Sequence, residues 1–177
     1  SDYEKRNQFL EGTGGLVLDR KYKKAYAVKS PRTNESLVKK WCNENQYEAI
    51  IFDCFNPSGY SEYHTNVIMF IGSNVAGIYK EGIPLEQREK VIKTLKKTKE
   101  LIFFNYNQIK NFCGNCLELK SNKEEKFLTL SKKAFFSLTK KQKDILNRYF
   151  EDFIYSDLET IETYGGGSAR CLILEMF

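Results

Sequence analysis

The 177-residue chain is 41% hydrophobic and 14% aromatic, enough apolar material for one buried core, which excludes a disordered tail. Its net charge of +5 comes from 28 basic and 23 acidic residues; lysine clusters such as Lys93, Lys96, Lys97 and Lys99 read as a solvated helix face and the six arginines are scattered, which excludes a nucleic-acid groove reader. No apolar run spans a bilayer and no stretch reads as a secretory signal, and five cysteines, an odd number, argue for reduced thiols, so the expectation is a cytoplasmic chain off the membrane.

In chain order, Gly15 to Asp19 and Lys24 to Val28 read as strands, Asn34 to Asn45 as a helix and Glu48 to Phe52 as a third strand. The same ββαβ order returns with strands at Val67 to Ile71 and Val75 to Tyr79, a helix from Pro84 to Thr98, and a strand at Leu101 to Phe104. Pro84 suits the first turn of that helix, with Leu85, Ile92 and Leu95 on one face. A third round has strands at Cys116 to Leu119 and Phe127 to Leu130, a helix from Thr139 to Phe150 and a strand at Phe153 to Tyr155. Cys171 to Met176 then reads as the opening strand of a fourth unit. Spacing this regular fits either modules arranged around an axis, as in a propeller, or one mixed α/β sheet.

The residues least at home in a core stand just before each opening strand: Glu11 before the first, His64 before the second, Gly114 and Asn115 before the third, and Gly165-Gly166-Gly167-Ser168-Ala169-Arg170 leading into Cys171. In a ring of modules these positions converge, and a carboxylate, an imidazole and a thiol meet. His64 is the only histidine; it is either an acid/base group or an ordinary hydrogen-bonded residue. Cys171 is either a thiol held at the mouth of a site by a glycine-rich turn or a core cysteine opening a strand. Cys113 and Cys116 have no second Cys or His pair to complete tetrahedral zinc and no thioredoxin-like context, so no metal or redox site is expected. Gly12 to Gly15 lacks the Lys-Ser/Thr of a P-loop.

Taken together, Phe9 to Gly14, Ser30-Pro31-Arg32-Thr33, Tyr63 to Val67, Gly114 to Leu117 and Gly165 to Cys171 resemble the guanidino-group-modifying, or pentein, superfamily. Within it the chain is most similar to the CtlX-type citrulline-forming hydrolases, with dimethylarginine dimethylaminohydrolase and arginine deiminase as further relatives. The resemblance implies an α/β propeller of five ββαβ units. Three units and one strand are present, so it implies a single catalytic domain over residues 1–177 that lacks N-terminal modules and is completed by an upstream segment or a partner chain.

The resemblance also implies chemistry: hydrolysis of arginine or a methylated arginine to citrulline or a related urea, with Cys171 as nucleophile, His64 as acid/base and Glu11 as the carboxylate beside them. Arg32 is implied to bind the substrate carboxylate, its alternative being a surface arginine after a proline turn. Asn66, Asn115, Gly166, Gly167 and Ser168 are implied to line the substrate site. Asn66 stands where many relatives carry aspartate, a mark of the CtlX-type branch. A small-molecule guanidino substrate is the expected partner, and no cofactor is needed. Amidino transfer to a second amine, and a non-catalytic binding module, are the competing functions.

Overall fold

The computed structural model describes residues 2–175, and within them the three rounds become three separate three-stranded sheets. The first contains β1 (Val17–Asp19), β2 (Lys24–Val28) and β3 (Glu48–Phe52), the second β4 (Met69–Ile71), β5 (Val75–Ile78) and β6 (Glu100–Phe103), and the third β7 (Leu117–Lys120), β8 (Lys126–Ser131) and β9 (Asp152–Ser156). In each sheet the first strand runs antiparallel to the middle one and the third parallel to it. The parallel step requires a crossover, which helices α2 (Glu35–Asn45), α4 (Leu85–Lys96) and α7 (Lys140–Leu146) supply. The choice left open by periodicity is thereby settled for propeller-type modules.

Alternation along the strands decides which module touches which. On the first sheet Ala25, Ala27 and Ile51 face Val38 and Cys42 of its own helix, whereas Tyr26, Val28, Ile50 and Phe52 join the second module in a common core. Helix α4 packs on both β3 and β6, and the opening strands β1, β4 and β7 are successive neighbours. The modules are also fastened by charge. Asp19 at the end of β1 and Lys99 just before β6 form an ion pair 2.8 Å apart, with side chains only 3% and 1% exposed. The Lys99 ammonium also donates to the Ser73 carbonyl at 3.1 Å, and the Glu118 carboxylate of β7 accepts from the Ser73 N–H at 2.8 Å and from its hydroxyl.

Four expectations need correction. The segments before β1 and β4 are single helical turns, α1 (Gly12–Gly15) and α3 (Thr65–Ile68), not strand; all four residues of α3 are buried, so its Val67 and Ile68 look like strand to any reading of hydropathy. Leu85 is 75% exposed while Val91 and Leu95 are buried, because Pro84 is the N-cap of α4 and Leu85 stands at its open end, away from the sheet. The third-round helix α7 stops at Leu146 instead of running to Phe150, and a separate helix α6 (Lys132–Ser137) precedes it, the Ser131 and Thr139 side chains each capping an N-terminus. Finally, Cys171 does not open a strand. Ala169–Leu172 is a 3₁₀ turn, and residues 173–175 pair with no strand among the described residues, with Leu172 and Leu174 exposed. Met176 lies outside the described residues.

Like α6, two more short helices were not anticipated from the sequence: α5 (Tyr106–Lys110), capped by Asn105 and Gln108, and α8 (Glu159–Tyr164).

Candidate active site

Helical turns α1 and α3 are what bring the unusual residues together. Thr65, the first residue of α3, is fully buried; its hydroxyl donates to the Gly15 carbonyl at 2.7 Å and accepts from Val28 N–H at 2.8 Å. That bridge fixes the N-cap residues of the two turns, Glu11 and His64, beside each other. His64 Nε2 lies 2.7 Å from Glu11 Oε2. An added Cβ on Gly14 would come within 2.6 Å of His64 Nδ1, so the glycine is what lets the imidazole lie against α1.

The same Glu11 oxygen receives Arg32 Nη1 at 3.3 Å, and the Glu11 N–H donates to the Arg32 carbonyl at 3.1 Å. Partial burial works to raise the Glu11 carboxyl, but the contacts with His64 and Arg32 outweigh it and hold the group below its ordinary range.

Cys171 arrives from the far end of the chain. Gly166 takes a left-handed φ of 69°, and its carbonyl accepts from the Tyr63 hydroxyl at 2.7 Å. The Tyr63 ring in turn packs on the His64 ring with centroids 4.8 Å apart, so one side chain ties the glycine-rich segment to the histidine. Cys171 is an exposed residue, and its Sγ lies 3.2 Å from Asn115 Nδ2 and 3.7 Å from Asn66 Nδ2. Asn66 also donates to the Thr13 carbonyl at 3.1 Å. Glu11, Arg32 and His64 thus form one hydrogen-bonded group and Asn66, Asn115 and Cys171 a second, and Tyr63 and the Thr13 carbonyl link the two.

The other two segment residues behave differently. Ser168 is completely buried and its hydroxyl donates to Glu162 at 2.7 Å, while its carbonyl accepts from Cys171 N–H at 3.0 Å. Gly167 leaves only 3.1 Å between an added Cβ and the Cys171 Cβ, which keeps the turn tight around the thiol. Tyr63 and Thr65 stood within the motifs quoted from the sequence, yet without an assigned role; their adjacency to the sole histidine was the available signal.

The remaining thiols are in another state. Burial pushes the Cys113 thiol up to about 12 and raises Cys42, Cys54 and Cys116 as well. Cys113 donates to the Ala134 carbonyl and Cys116 to the Cys113 carbonyl, as packed core thiols do. Among the described residues no three His, Cys, Asp or Glu side chains are grouped to hold a metal ion, and no helix is long and apolar enough to cross a membrane.

A cavity of about 570 Å³ runs along β1 and β4, reaching Gly12, Thr13, Asn66 and Arg170 but neither His64 nor Cys171.

Gly114 sets the approach of the third module. An added Cβ there would stand 2.2 Å from the Val67 carbonyl oxygen and 2.8 Å from the Ile68 carbonyl carbon, and backbone cannot rotate away as a side chain can. Gly114→Ala is expected to destabilise the fold by roughly 2 kcal/mol, lowering Tm by about 5 °C. A melting curve superimposable on that of the unaltered protein would contradict this packing.

The family model for eukaryotic N,N-dimethylarginine dimethylhydrolase matches residues 1–177. Among solved structures, ArgZ, an arginine dihydrolase from the ornithine-ammonia cycle in cyanobacteria, is similar with a TM-score of 0.72 at 15% identity, over 92% of this chain and 24% of that one. The N-terminal domain of ArgZ in a mutant form bound to substrate gives 0.71 at 17% identity, over 93% of this chain and 56% of that domain. SxtG, an amidinotransferase from Microseira wollei in the saxitoxin pathway, gives 0.61 at 16% identity, over 89% and 42%. No curated protein sequence matches the chain. At these identities the likeness is one of fold, and the chain spans from a quarter to just over half the length of these structures.

Proposed function

The chain belongs to the eukaryotic N,N-dimethylarginine dimethylhydrolase family, and on that premise we propose that residues 1–177 carry the catalytic cysteine of a hydrolase acting on a guanidino substrate, arginine or a methylated arginine. The observation that carries the reading is the cluster itself: one exposed thiol beside two amide donors, with the sole imidazole on a carboxylate at 2.7 Å.

A guanidinium carbon is a poor electrophile because resonance spreads its charge, so a strong nucleophile is needed. In this reading the Cys171 thiolate forms a C–S bond to that carbon. The C–N bond to the departing amine breaks, and His64 supplies the proton the amine takes with it. The S-alkylthiouronium left on Cys171 is then attacked by water, one of whose protons passes to His64; a C–O bond forms, the C–S bond breaks, the second proton leaves with the released amine as its ammonium ion, and citrulline or a related urea departs with the thiolate restored. Glu11 holds His64 in orientation through the 2.7 Å contact. Arg32, pinned to Glu11 on one side, offers its remaining N–H groups to a substrate carboxylate. No step calls for a cofactor, and a free thiolate suits the reducing cytoplasm.

The proposed domain is one catalytic unit whose guanidinium pocket is finished by further modules, upstream or on a partner chain. Support comes from the short span against the ArgZ structures and from the third sheet, whose outward Ile154 is half exposed where the first sheet's equivalent face is covered by α4.

Incubation of the chain, alone and with the completing segment, with dimethylarginine or arginine tests the reading. Citrulline formed without an added amine supports the hydrolase. Product that appears only when glycine or ornithine is present favours amidino transfer, the second reading, which the fold likeness to SxtG supports. No turnover by the completed protein under either condition would overturn both.

A further inference from the structure

Sequence position put Asn115 among the substrate-contacting residues, but its side chain has no bonding capacity to spare. It is 1% exposed. Its Oδ1 accepts from the Arg170 N–H at 3.0 Å and the Cys171 N–H at 3.4 Å. Its Nδ2 donates to the Asn66 carbonyl at 3.0 Å and stands 3.2 Å from Cys171 Sγ. An amide has two donor hydrogens and one carbonyl with two lone pairs, so these four contacts use everything it has. Gly114, pressed without a Cβ against the Val67 carbonyl, is what lets the third module come close enough for that reach.

The geometry points to Asn115 as the residue that positions the Cys171 sulfur and holds its negative charge, by one amide hydrogen on Sγ and one carbonyl on the two backbone N–H groups of the turn, and not as a substrate contact. The inference rests on Cys171 being the nucleophile. A neutral donor fixed by three other bonds favours the charged sulfur without the cost of ordering a mobile group, because hydrogen bonds to ionised partners are about twice as strong as neutral ones. Asn66 adds a longer, weaker contact, its Nδ2 being 3.7 Å away and committed to the Thr13 carbonyl. Both amides come from modules other than the turn that carries the thiol, so the reactivity of Cys171 is assembled by packing of the three units.

The test uses alkylation of Cys171 by iodoacetamide, read on its peptide by mass spectrometry across a pH series, in the whole chain with no substrate present. Asn115→Asp keeps the shape and the acceptors for the turn but removes the donor and adds a like charge. Alkylation at pH 7 is expected to slow about tenfold, with the pH profile displaced to the alkaline side, while the circular dichroism spectrum is kept. If N115D does not fold, N115A is measured in its place and is expected to displace the profile in the same direction. A profile unchanged in a folded variant overturns the inference. Because no turnover is needed, absence of turnover by the completed protein would count against the proposed hydrolase and leave this result readable. In the active protein the loss should fall on kcat with KM nearly unaltered; a loss confined to KM would restore Asn115 to the substrate site and overturn the assignment.

Discussion

Replacing Cys171 by serine is expected to lower turnover of a guanidino substrate by at least about 10³-fold while leaving Tm unchanged. The side chain is exposed, so its exchange for a hydroxyl opens no cavity and strands no buried group; surface changes of this kind stay within about 0.5 kcal/mol. What is lost is the nucleophile, since a serine hydroxyl at neutral pH carries no anion for the amide donors of Asn115 and Asn66 to hold. Activity within tenfold of the unaltered protein would remove Cys171 from the mechanism. The other four thiols are no substitute, being buried and held protonated.

The second large effect belongs to the ion pair between the first two modules. Lys99→Met leaves the Asp19 carboxylate nearly fully buried without its countercharge, an arrangement that costs about 3–5 kcal/mol and, for a chain of this length, about 10 °C in Tm. Replacing both partners by apolar residues of similar size, Asp19→Leu with Lys99→Met, is expected to recover most of the loss, because the penalty lies in the lone charge more than in the missing attraction. The Tyr22 ring already covers the ammonium at 4.8 Å, so an apolar side chain finds an apolar neighbour there. Thermal melts of the two single variants and the double variant check this. A single variant as stable as the parent would mean that the pair is solvated and does not fasten the modules.

Strand and helix order in each module was legible because each element carries its own period. Ala25 to Val28 and Ile50 to Phe52 are short apolar runs bounded by turns, and α2 begins at Asn34, whose side chain accepts from Ser36 and Leu37 N–H groups. The pairing of Glu11 with His64 and of Asn115 with Cys171 agrees with repeat position, since residues at equivalent places in successive modules come near one another once the opening strands are neighbours. What could not be read was how each segment gets there. Thr65 looks like an ordinary helix starter, yet its hydroxyl joins two modules through bonds to residues 50 and 37 positions away. Gly114 looks like a turn glycine, yet what demands it is a carbonyl in another module. Cys171 to Glu175 has a strand's hydropathy, but a strand exists only where a partner edge offers its hydrogen bonds. The family resemblance implies Asn115 as a substrate residue, but sequence does not reveal how many of its donors and acceptors are already used.

The most direct measurement is the fate of Cys171 during turnover. The completed protein is incubated with dimethylarginine, quenched in acid at short times, and its cysteine peptides are weighed. The account predicts a thiouronium adduct on the Cys171 peptide that forms and decays with product release and is absent from Cys171→Ser. An adduct on any other cysteine, or steady citrulline production with Cys171 unmodified at every time point, would contradict it.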